Sequence, residues 1–373
     1  MSVSDIVAST SRVHPEVAVV RLRGELGPAS GEALVEAVRA AGRETGAKSL
    51  VLDFSAVERL SGAVLIPLAV AQAGAEREGL RLGVTGLPPE AVEAFRVVWP
   101  PTALPVCADE AEAVALMSPS AADRGGAATG IAAAGWVASA GKHGGWAQSF
   151  GRLHVTAEAD VPRINVEGQT TCGPAEGFGR MWHKTYRVRL EGSEATPEDV
   201  ISGWRERFGQ FWPPGNRMDT GPEGLVPGAV GVITLGGPLG LRLITGVQVV
   251  YSGPESFVFI PVRGHMFCGL IAFSAIREEG TTVAQVEVAV RASDPLWEVV
   301  MRTGGYRQED RHWLHTLKVL SEHFGVRAWP EVSAAVVDPA LHWRHAGNLL
   351  FNSGIWSGLY LAATALRRAR RSA

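Results

Sequence analysis

Residues 50–84 read LVLDFSAVERLSGAVLIPLAVAQAGAEREGLRLGV, and this stretch decides the expected architecture of the first part of the chain. Residues 50–54 form a short apolar run typical of a buried strand, and a turn then leads into about 15 apolar and small residues. Gly79 supplies a helix stop, and residues 80–84 return as a second strand. This order predicts a βαβ unit, which implies a sheet with helices packed on it.

Three short motifs around this stretch carry a resemblance to a known family. They are Gly24-Glu25-Leu26 after an apolar strand, Asp53-Phe54-Ser55 with Val57, and residues 80–87. On these motifs residues 5–117 resemble the STAS domains of anti-sigma factor antagonists and sulfate-transporter tails. The resemblance implies an α/β STAS-like domain, which we place at residues 1–117 and expect to bind a protein partner.

The central helix departs from the family pattern at its start. The family has Asp-Ser-Ser-Gly-Leu there, and a partner kinase phosphorylates the second Ser. This chain has Ser61, Gly62, Ala63, Val64 and Leu65 at those positions. A methyl group cannot accept a phosphoryl group, so the resemblance implies that the serine switch is absent. Ser61 is an alternative acceptor, although a Ser at this place more often caps the helix.

Composition limits the function classes. A chain of 373 residues with 46% hydrophobic content is expected to form two domains or more. The net charge of −3 and the scattered basic residues disfavour nucleic-acid binding. Cys107, Cys172 and Cys268 lie far apart, which indicates no disulfide framework or zinc ribbon and favours a reduced cytoplasm. The first 16 residues show no secretory signal.

No motif in the sequence specifies catalysis, a metal or a cofactor. The glycine pairs lack the Lys and Ser or Thr of a P-loop, and no G-x-G-x-x-G or G-x-S-x-G is present. His312 and His315 share a predicted helix, but nothing near them completes a metal ligand set. We therefore expect no cofactor and no metal site, and assign no catalytic residue.

A change of composition separates the two predicted domains. Residues 118–150 are rich in Ala, Gly and Ser and should form a linker, in which Trp146 is expected to dock locally. A second domain is predicted over residues 151–328. Its first clear helix begins at Thr196, which is followed by Pro, Glu and Asp in the pattern of a helix N-terminus.

Several strands and one long helix follow in this second domain. The β-rich runs are residues 230–235, 241–251, 256–262, 266–276 and 282–291. In the last run Val286, Val288 and Val290 alternate with more polar residues, which predicts a sheet with one face in water. A long helical segment should then begin at Asp294, break at Gly304 and end at Gly325.

The order of strand, helix, antiparallel strands and long helix, together with three stretches of sequence, resembles a second family. The stretches are GFGRMWHKTYRVRLEG, the GHMFCG turn and VAQVEVAVRASDPLWE. On them residues 175–328 resemble the START-like, polyketide-cyclase-like (SRPBCC-type) helix-grip domains. The resemblance implies an α+β fold in which a long helix lies across a curved antiparallel sheet and encloses an apolar cavity.

Aromatic residues and one histidine are the candidate ligand contacts in this second domain. His265 lies in the Gly-flanked turn, where it could bond a ligand or tie the turn to backbone groups. The aromatic candidates are Trp204, Phe211, Trp212, Phe257, Phe259 and Phe267. Core packing is the competing interpretation, because aromatic side chains supply much of any domain's buried area.

These patterns leave more than one function open. The first hypothesis is a non-enzymatic cytoplasmic regulator or adaptor, whose STAS-like domain binds a protein and whose helix-grip domain binds an apolar small molecule or lipid. The second is a cyclase or hydratase acting in the helix-grip cavity. A third is an accessory subunit of a lipid or anion transporter. Paired acidic and basic residues in the cavity would favour the enzyme, and an apolar lining would favour the carrier.

The tail, residues 329–373, contains 21 uncharged residues (346–366) followed by an arginine cluster at 367–371. Phe351, Ile355, Leu359, Ala362 and Leu366 form an apolar stripe at helical spacing. We expect an amphipathic helix whose stripe packs on the protein or a partner. Attachment to a membrane surface and a membrane span are the alternatives.

Overall fold

The computed structural model describes residues 7–118, 145–148, 150–156, 158, 161–236 and 242–372. The chain divides into two compact units, Met1–Gln148 and Ser149–Ala373. Most of the predicted linker, residues 118–150, lies outside the described residues. Its last part packs on the first unit, where Trp146 is 3% exposed and its ring centroid lies 5.9 Å from that of Phe95.

The first unit is a four-stranded sheet with helices. The strands are β1 (Val7–His14), β2 (Val17–Leu26), β3 (Ser49–Leu60) and β4 (Arg81–Thr85), in that spatial order. The helices are α1 (Gly31–Thr45), α2 (Leu65–Arg77), α3 (Pro89–Val98) and α4 (Glu110–Met117). β1 and β2 pair antiparallel, whereas β2, β3 and β4 pair parallel. The predicted βαβ unit is therefore β3–α2–β4.

The core of the first unit forms because α2 is apolar on all sides. Leu65, Ile66, Leu68 and Ala69 of α2 are all fully buried, as are Leu50, Val51 and Leu52 of β3. A helix that is apolar all round is stable only inside a core. The predicted edge strand at residues 104–107 is reduced to one parallel bridge between Val84 and Val106.

The second unit is built on an eight-stranded antiparallel sheet. Its strands are β5 (Met181–Arg189), β6 (Arg217–Asp219), β7 (Val230–Gly236), β8 (Arg242–Ser252), β9 (Ser256–Pro261), β10 (Phe267–Glu278), β11 (Thr281–Ala292) and β12 (Glu331–Asp338). The spatial order is β12-β5-β11-β10-β9-β8-β7-β6. The five predicted β-rich runs correspond to β7 through β11.

Four helices accompany this sheet: α5 (Pro197–Glu206), α6 (Pro295–Val300), α7 (Tyr306–His323) and α8 (Ser353–Ser372). Thr196 caps α5 through a capping box with Asp199, as its sequence predicts. A π-helical segment, Met301–Gly305, joins α6 to α7, and Gly304 breaks it with φ of 150°. α5 packs on β10 and β11, and α7 packs on β5, β11 and β12. This is an antiparallel sheet with helices, the coarse architecture that the second resemblance implies.

The prediction that one face of β11 is in water was wrong. Gln285 is 6% exposed, Arg291 is 2% exposed, and neighbouring elements cover both faces of the strand. Arg291 donates a hydrogen bond to Asp338 at 3.1 Å, and Glu287 pairs with His183 at 2.7 Å. Charged partners on neighbouring segments allow polar residues to be buried, and the alternation within one strand carries no information about those partners.

The cysteine prediction was also wrong, because Cys172 and Cys268 form a disulfide. Their Cα atoms lie 4.9 Å apart across 96 residues of sequence. The Cys172 N–H donates to the carbonyl of Pro261, and the Gly269 N–H donates to the carbonyl of Cys172, so the sheet brings the two thiols together. Cys107 is free and buried, and burial raises the pKa of its thiol to about 11.

The tail forms the predicted helix, and its apolar stripe is not packed on the second unit, which leaves a partner or a membrane surface to cover it. A 3-10 helix, Trp343–Phe351, leads into α8, and the exposed fractions of Ile355, Leu359 and Leu366 are 42%, 56% and 63%. Asn352, Ser353 and Ser357 are buried instead. Segment Trp343–Arg370 is long and apolar enough to cross a membrane, with a mean hydropathy of 1.3 in its most apolar window and 17% of that window buried.

Candidate functional site

The first candidate site is the start of α2, where the family pattern places a phosphoserine. Ser61 is 8% exposed and precedes a 3-10 turn, Gly62–Val64, that runs into α2. Its side-chain oxygen accepts a hydrogen bond from the Ala63 N–H at 3.3 Å, so Ser61 is the cap that its position predicts. Ala63 is 3% exposed and Gly62 is also buried. The described geometry thus presents a buried methyl group where a phosphoacceptor would be needed.

The neighbouring Asp53-Phe54-Ser55 motif supports this site structurally. The Asp53 carboxylate accepts a hydrogen bond from the Ser55 N–H at 2.9 Å. Gly86, which follows β4 with φ of +68°, passes so close to this turn that a Cβ there would lie 2.5 Å from the Ser55 nitrogen. Only glycine tolerates both the backbone conformation and this approach. The motif lies within β3 and holds the residue that follows β4 against the middle of that strand.

The second candidate site is the aromatic interior of the second unit. The ring of Phe208 lies 5.5 Å from Trp212, 5.5 Å from Phe257 and 5.4 Å from Phe259, measured between centroids. Trp204 lies 6.0 Å from Phe257. These are the spacings of packed aromatic pairs, and the predicted ligand contacts Trp204, Phe211, Trp212, Phe257 and Phe259 are all less than 9% exposed. Because the rings pack against one another, a ligand among them would have to displace some of them.

His265 occupies the turn between β9 and β10, as predicted, and ties it. Its Nδ1 atom accepts a hydrogen bond from the Phe267 N–H at 3.0 Å, and the residue is 6% exposed. Burial lowers the pKa of His265 to about 4, against a smaller opposing effect of that hydrogen bond. The imidazole is therefore neutral at pH 7. Phe267 extends from this turn to stack on Tyr306 at a centroid distance of 6.3 Å.

A buried charged cluster lies between β5 and α7, and the sequence interpretation missed it. Lys184 is 2% exposed, and its Nζ atom lies 2.8 Å from Glu309 Oε2 and 2.7 Å from Asp310 Oδ1. The Tyr186 hydroxyl donates to the same Asp310 oxygen at 2.8 Å. Burial raises the pKa of Glu309, and the Lys184 ammonium opposes part of that shift. The sequence does contain a signal, because Lys184 shares the inward period-two positions of β5 with Tyr186 and Val188.

A second group of buried polar atoms lies in α6, before the kink that leads into α7. Glu298 is 3% exposed, and neither of its carboxylate oxygens makes a hydrogen bond of standard geometry. Burial raises the pKa of Glu298, and the guanidinium groups of Arg302 and Arg180 oppose part of that shift. The Trp297 indole N–H is likewise buried without an acceptor. Buried polar groups without partners are costly, and they mark places where a ligand or water would be stabilising.

The histidines suggested as metal ligands have other contacts. The His312 ring lies 4.9 Å from the ring of Trp212, and its Nδ1 atom is 3.1 Å from the Asn216 amide nitrogen. Within the described part of the chain, no three His, Cys, Asp or Glu side chains converge as a metal site would require. His312 is thus a core residue that also fixes the segment before β6.

Comparison with known families identifies the first unit. Residues 9–98 match the family model described as "Mlab, STAS domain". By this match the first unit is similar to STAS domains over residues 9–98. This family match is consistent with the parallel β3–α2–β4 unit and with the motifs around the start of α2. No curated protein matches the chain at a significant level of similarity.

Three solved structures illustrate the structural similarities. A crystal structure of an anti-sigma factor antagonist from Mycobacterium paratuberculosis is 25% identical, covering 30% of this chain and 94% of that chain, with a TM-score of 0.26. The Bacillus cell fate determinant SpoIIAA in its phosphorylated form is 18% identical, covering 29% and 96%, with a TM-score of 0.25. The di-domain ARO/CYC StfQ of the steffimycin biosynthetic pathway is 12% identical, covering 39% and 53%, with a TM-score of 0.32.

Proposed function

We propose that the protein is a regulator or adaptor whose STAS domain binds a protein partner without a serine phosphoswitch. The observation that carries this proposal is Ala63, a buried methyl group at the position of the family's phosphoserine. In the family that phosphoserine adds negative charge and disrupts the partner surface. Ser61 is a poor substitute, because its side-chain oxygen caps the helix by accepting the Ala63 N–H. Binding should therefore be constitutive.

The test compares phosphorylation of the natural chain with that of a variant that restores the acceptor. The full-length protein and Ala63→Ser are incubated with ATP and lysate of the source cells, and intact masses are measured. We expect phosphate on Ala63→Ser only, and partner co-purification with the natural chain that neither ATP nor phosphatase treatment changes. Stoichiometric phosphate on Ser61 of the natural chain would contradict the proposal, because the domain would then have a serine phosphoswitch.

For the second unit we infer a helix-grip module that binds an apolar small molecule or lipid. Its support is the aromatic interior between α5, α7 and the sheet, together with the buried Glu298 carboxylate and Trp297 indole N–H of α6, which suit a polar group on such a ligand. A cyclase or hydratase remains the second candidate, favoured by the buried Lys184 and Glu309 side chains and the partly exposed Asp310 beside them. An enzyme would use such groups as acid and base.

Ligand binding is tested by native mass spectrometry of the full-length protein and by a thermal-shift screen of fatty acids, isoprenoids and polyketides. A ligand held only by the folded state raises the melting temperature in proportion to its occupancy. We expect a retained mass or a shift that Glu298→Gln alters. Turnover of a polyketide that Lys184→Met abolishes would favour the enzyme instead, and no retained mass with no shift would remove both candidates.

A further inference from the structure

The polar side of the tail contacts the rest of the second unit through hydrogen bonds. The Ser357 hydroxyl accepts from the Ile244 N–H at 2.9 Å, and the Asn165 amide donates to the same oxygen at 3.1 Å. The Asn352 amide donates to Asp294 at 2.9 Å, and the Ser353 N–H donates to the carbonyl of Gly264. Hydrogen bonds, not apolar burial, therefore hold the first turns of α8 against β8 and the His265 turn.

The apolar side of the same segment is consequently turned outward. On α8 the exposed residues are Ile355, Trp356, Leu359, Tyr360 and Leu366, and on the preceding 3-10 helix they are Trp343, Leu349 and Leu350. Leu350 is 74% exposed and Trp343 is 70% exposed. We call this set the tail face. Single exposed apolar side chains are ordinary, but several along one segment mark a surface that another molecule covers.

The charge of the tail differs from that of the rest of the chain. Residues 339–373 contain five arginines and neither Asp nor Glu, so the preceding residues carry a net charge of −8 within a total of −3. Arg367, Arg368 and Arg370 are exposed at the end of α8. Segregated positive charge beside an apolar face, with Trp and Tyr among its members, fits the headgroup region of an anionic membrane.

We propose that the tail face docks on an anionic lipid membrane, with α8 lying in the plane of the headgroups. The anchors at Asn352, Ser353 and Ser357 keep the start of α8 on the second unit. From there only the nine residues 358–366 precede the arginines, which at 1.5 Å per residue reach roughly 14 Å. A hydrocarbon core of roughly 30 Å is about twice that reach, so docking at the surface fits the anchored helix and a span does not.

The proposal is tested by sedimenting the full-length protein with vesicles. One set contains phosphatidylcholine alone and the other equal parts of phosphatidylcholine and phosphatidylglycerol. We expect binding to the anionic vesicles that falls at high salt, because screening weakens the attraction of the arginines. Replacing Arg367, Arg368 and Arg370 with Gln should weaken binding by about fivefold per residue.

The apolar contribution is tested with L359D and L366D combined, against Trp329→Ser as the control. Trp329 is 85% exposed but lies outside the tail face, so its loss should leave binding unchanged. The double variant should bind at least tenfold more weakly, and an unchanged melting temperature shows that it folds. The arginine variant gives an independent reading if the double variant does not fold.

Three outcomes would overturn the proposal. Equal binding of the natural chain and both variants would mean that the tail face is not the contact. A natural chain that is dimeric by light scattering and becomes monomeric in L359D/L366D, without vesicle binding, would assign the face to a second copy. Membrane protein that resists carbonate extraction from source cells would indicate a span.

Discussion

The helices α2 and α8 are both rich in apolar and small residues, but α2 is enclosed by the protein and α8 is largely exposed. Each combines apolar and small residues over several turns, yet α2 is enclosed by its sheet and by α1, whereas α8 contacts the second unit mainly through β8. Leu68 of α2 is fully buried, and Leu359 of α8 is 56% exposed. Apolar content therefore predicts that a helix face will be buried, but it does not predict whether the same chain, a partner or a membrane buries it.

The reason for this difference lies in what surrounds each helix. α2 connects β3 and β4, two parallel strands of one sheet, and such a crossover places the helix on that sheet. α8 follows β12 and, within the described residues, is not enclosed between two strands in this way. The hydrogen-bond partners near its start, the buried Asp294 and the partly buried Asn165, then select the polar side for contact. The side chains that remain exposed are the apolar ones.

The difference in burial between α2 and α8 is tested most strongly by truncating one leucine in each helix. Leu68→Ala should destabilise the first unit by about 3 kcal/mol, because it removes buried atoms and leaves a cavity. Leu359→Ala should change the unfolding free energy by less than about 0.5 kcal/mol, because its side chain is already half in solvent. Urea unfolding of the full-length variants, read by amide exchange in α2 and α8 peptides, gives both values.

Equal losses of unfolding free energy in Leu68→Ala and Leu359→Ala would contradict this difference between the two helices. A loss of about 2 kcal/mol or more for Leu359→Ala would mean that the tail face is covered in the isolated protein. A small loss for Leu68→Ala would mean that α2 relaxes to fill the space. Leu317→Ala in α7 is a control, since Leu317 is fully buried in the second unit and should cost as much as Leu68.

Sequence patterns predicted those features that depend on neighbouring residues. The βαβ unit, the Ser61 and Thr196 caps, the β-rich runs of the second unit and the break at Gly304 all follow from local signals. The family model confirms the STAS resemblance at residues 9–98. These elements are fixed by periodicity, capping and turn chemistry, which a single stretch of sequence contains.

Features that depend on distant partners were missed. Lys184 finds Glu309 across 125 residues, and Cys172 finds Cys268 across 96, so neither pairing has a local signal. The side of the tail that contacts the second unit has no local signal either, because Ser357 is bonded by Ile244 and Asn165 far earlier in the chain. Polar residues on a helix indicate a solvated side only when no buried partner is available to them.

The last prediction concerns the turn beneath the start of α8 and has the smaller expected effect. His265 Nδ1 accepts the Phe267 N–H, and Gly264 in the same turn accepts the Ser353 N–H of α8. Burial lowers the pKa of His265 from 6.5 to about 4 in the folded state. The unfolded chain therefore binds this proton more readily, so the stabilising effect is fully present above pH 6.5 and is lost as pH falls through 4.

Between pH 7 and 5 the unfolding free energy of the second unit should fall by about 2 kcal/mol from this residue. Measuring the unfolding free energy of His265→Asn over the same pH range isolates the contribution of His265. Asn keeps an acceptor for the Phe267 N–H but does not titrate. His312 and His345, whose pKa values burial also lowers to about 4, contribute equally to both proteins and cancel in the comparison. Parallel pH dependences of the natural chain and the variant would mean that the pKa of His265 is the same in the folded and unfolded states, which would contradict the prediction.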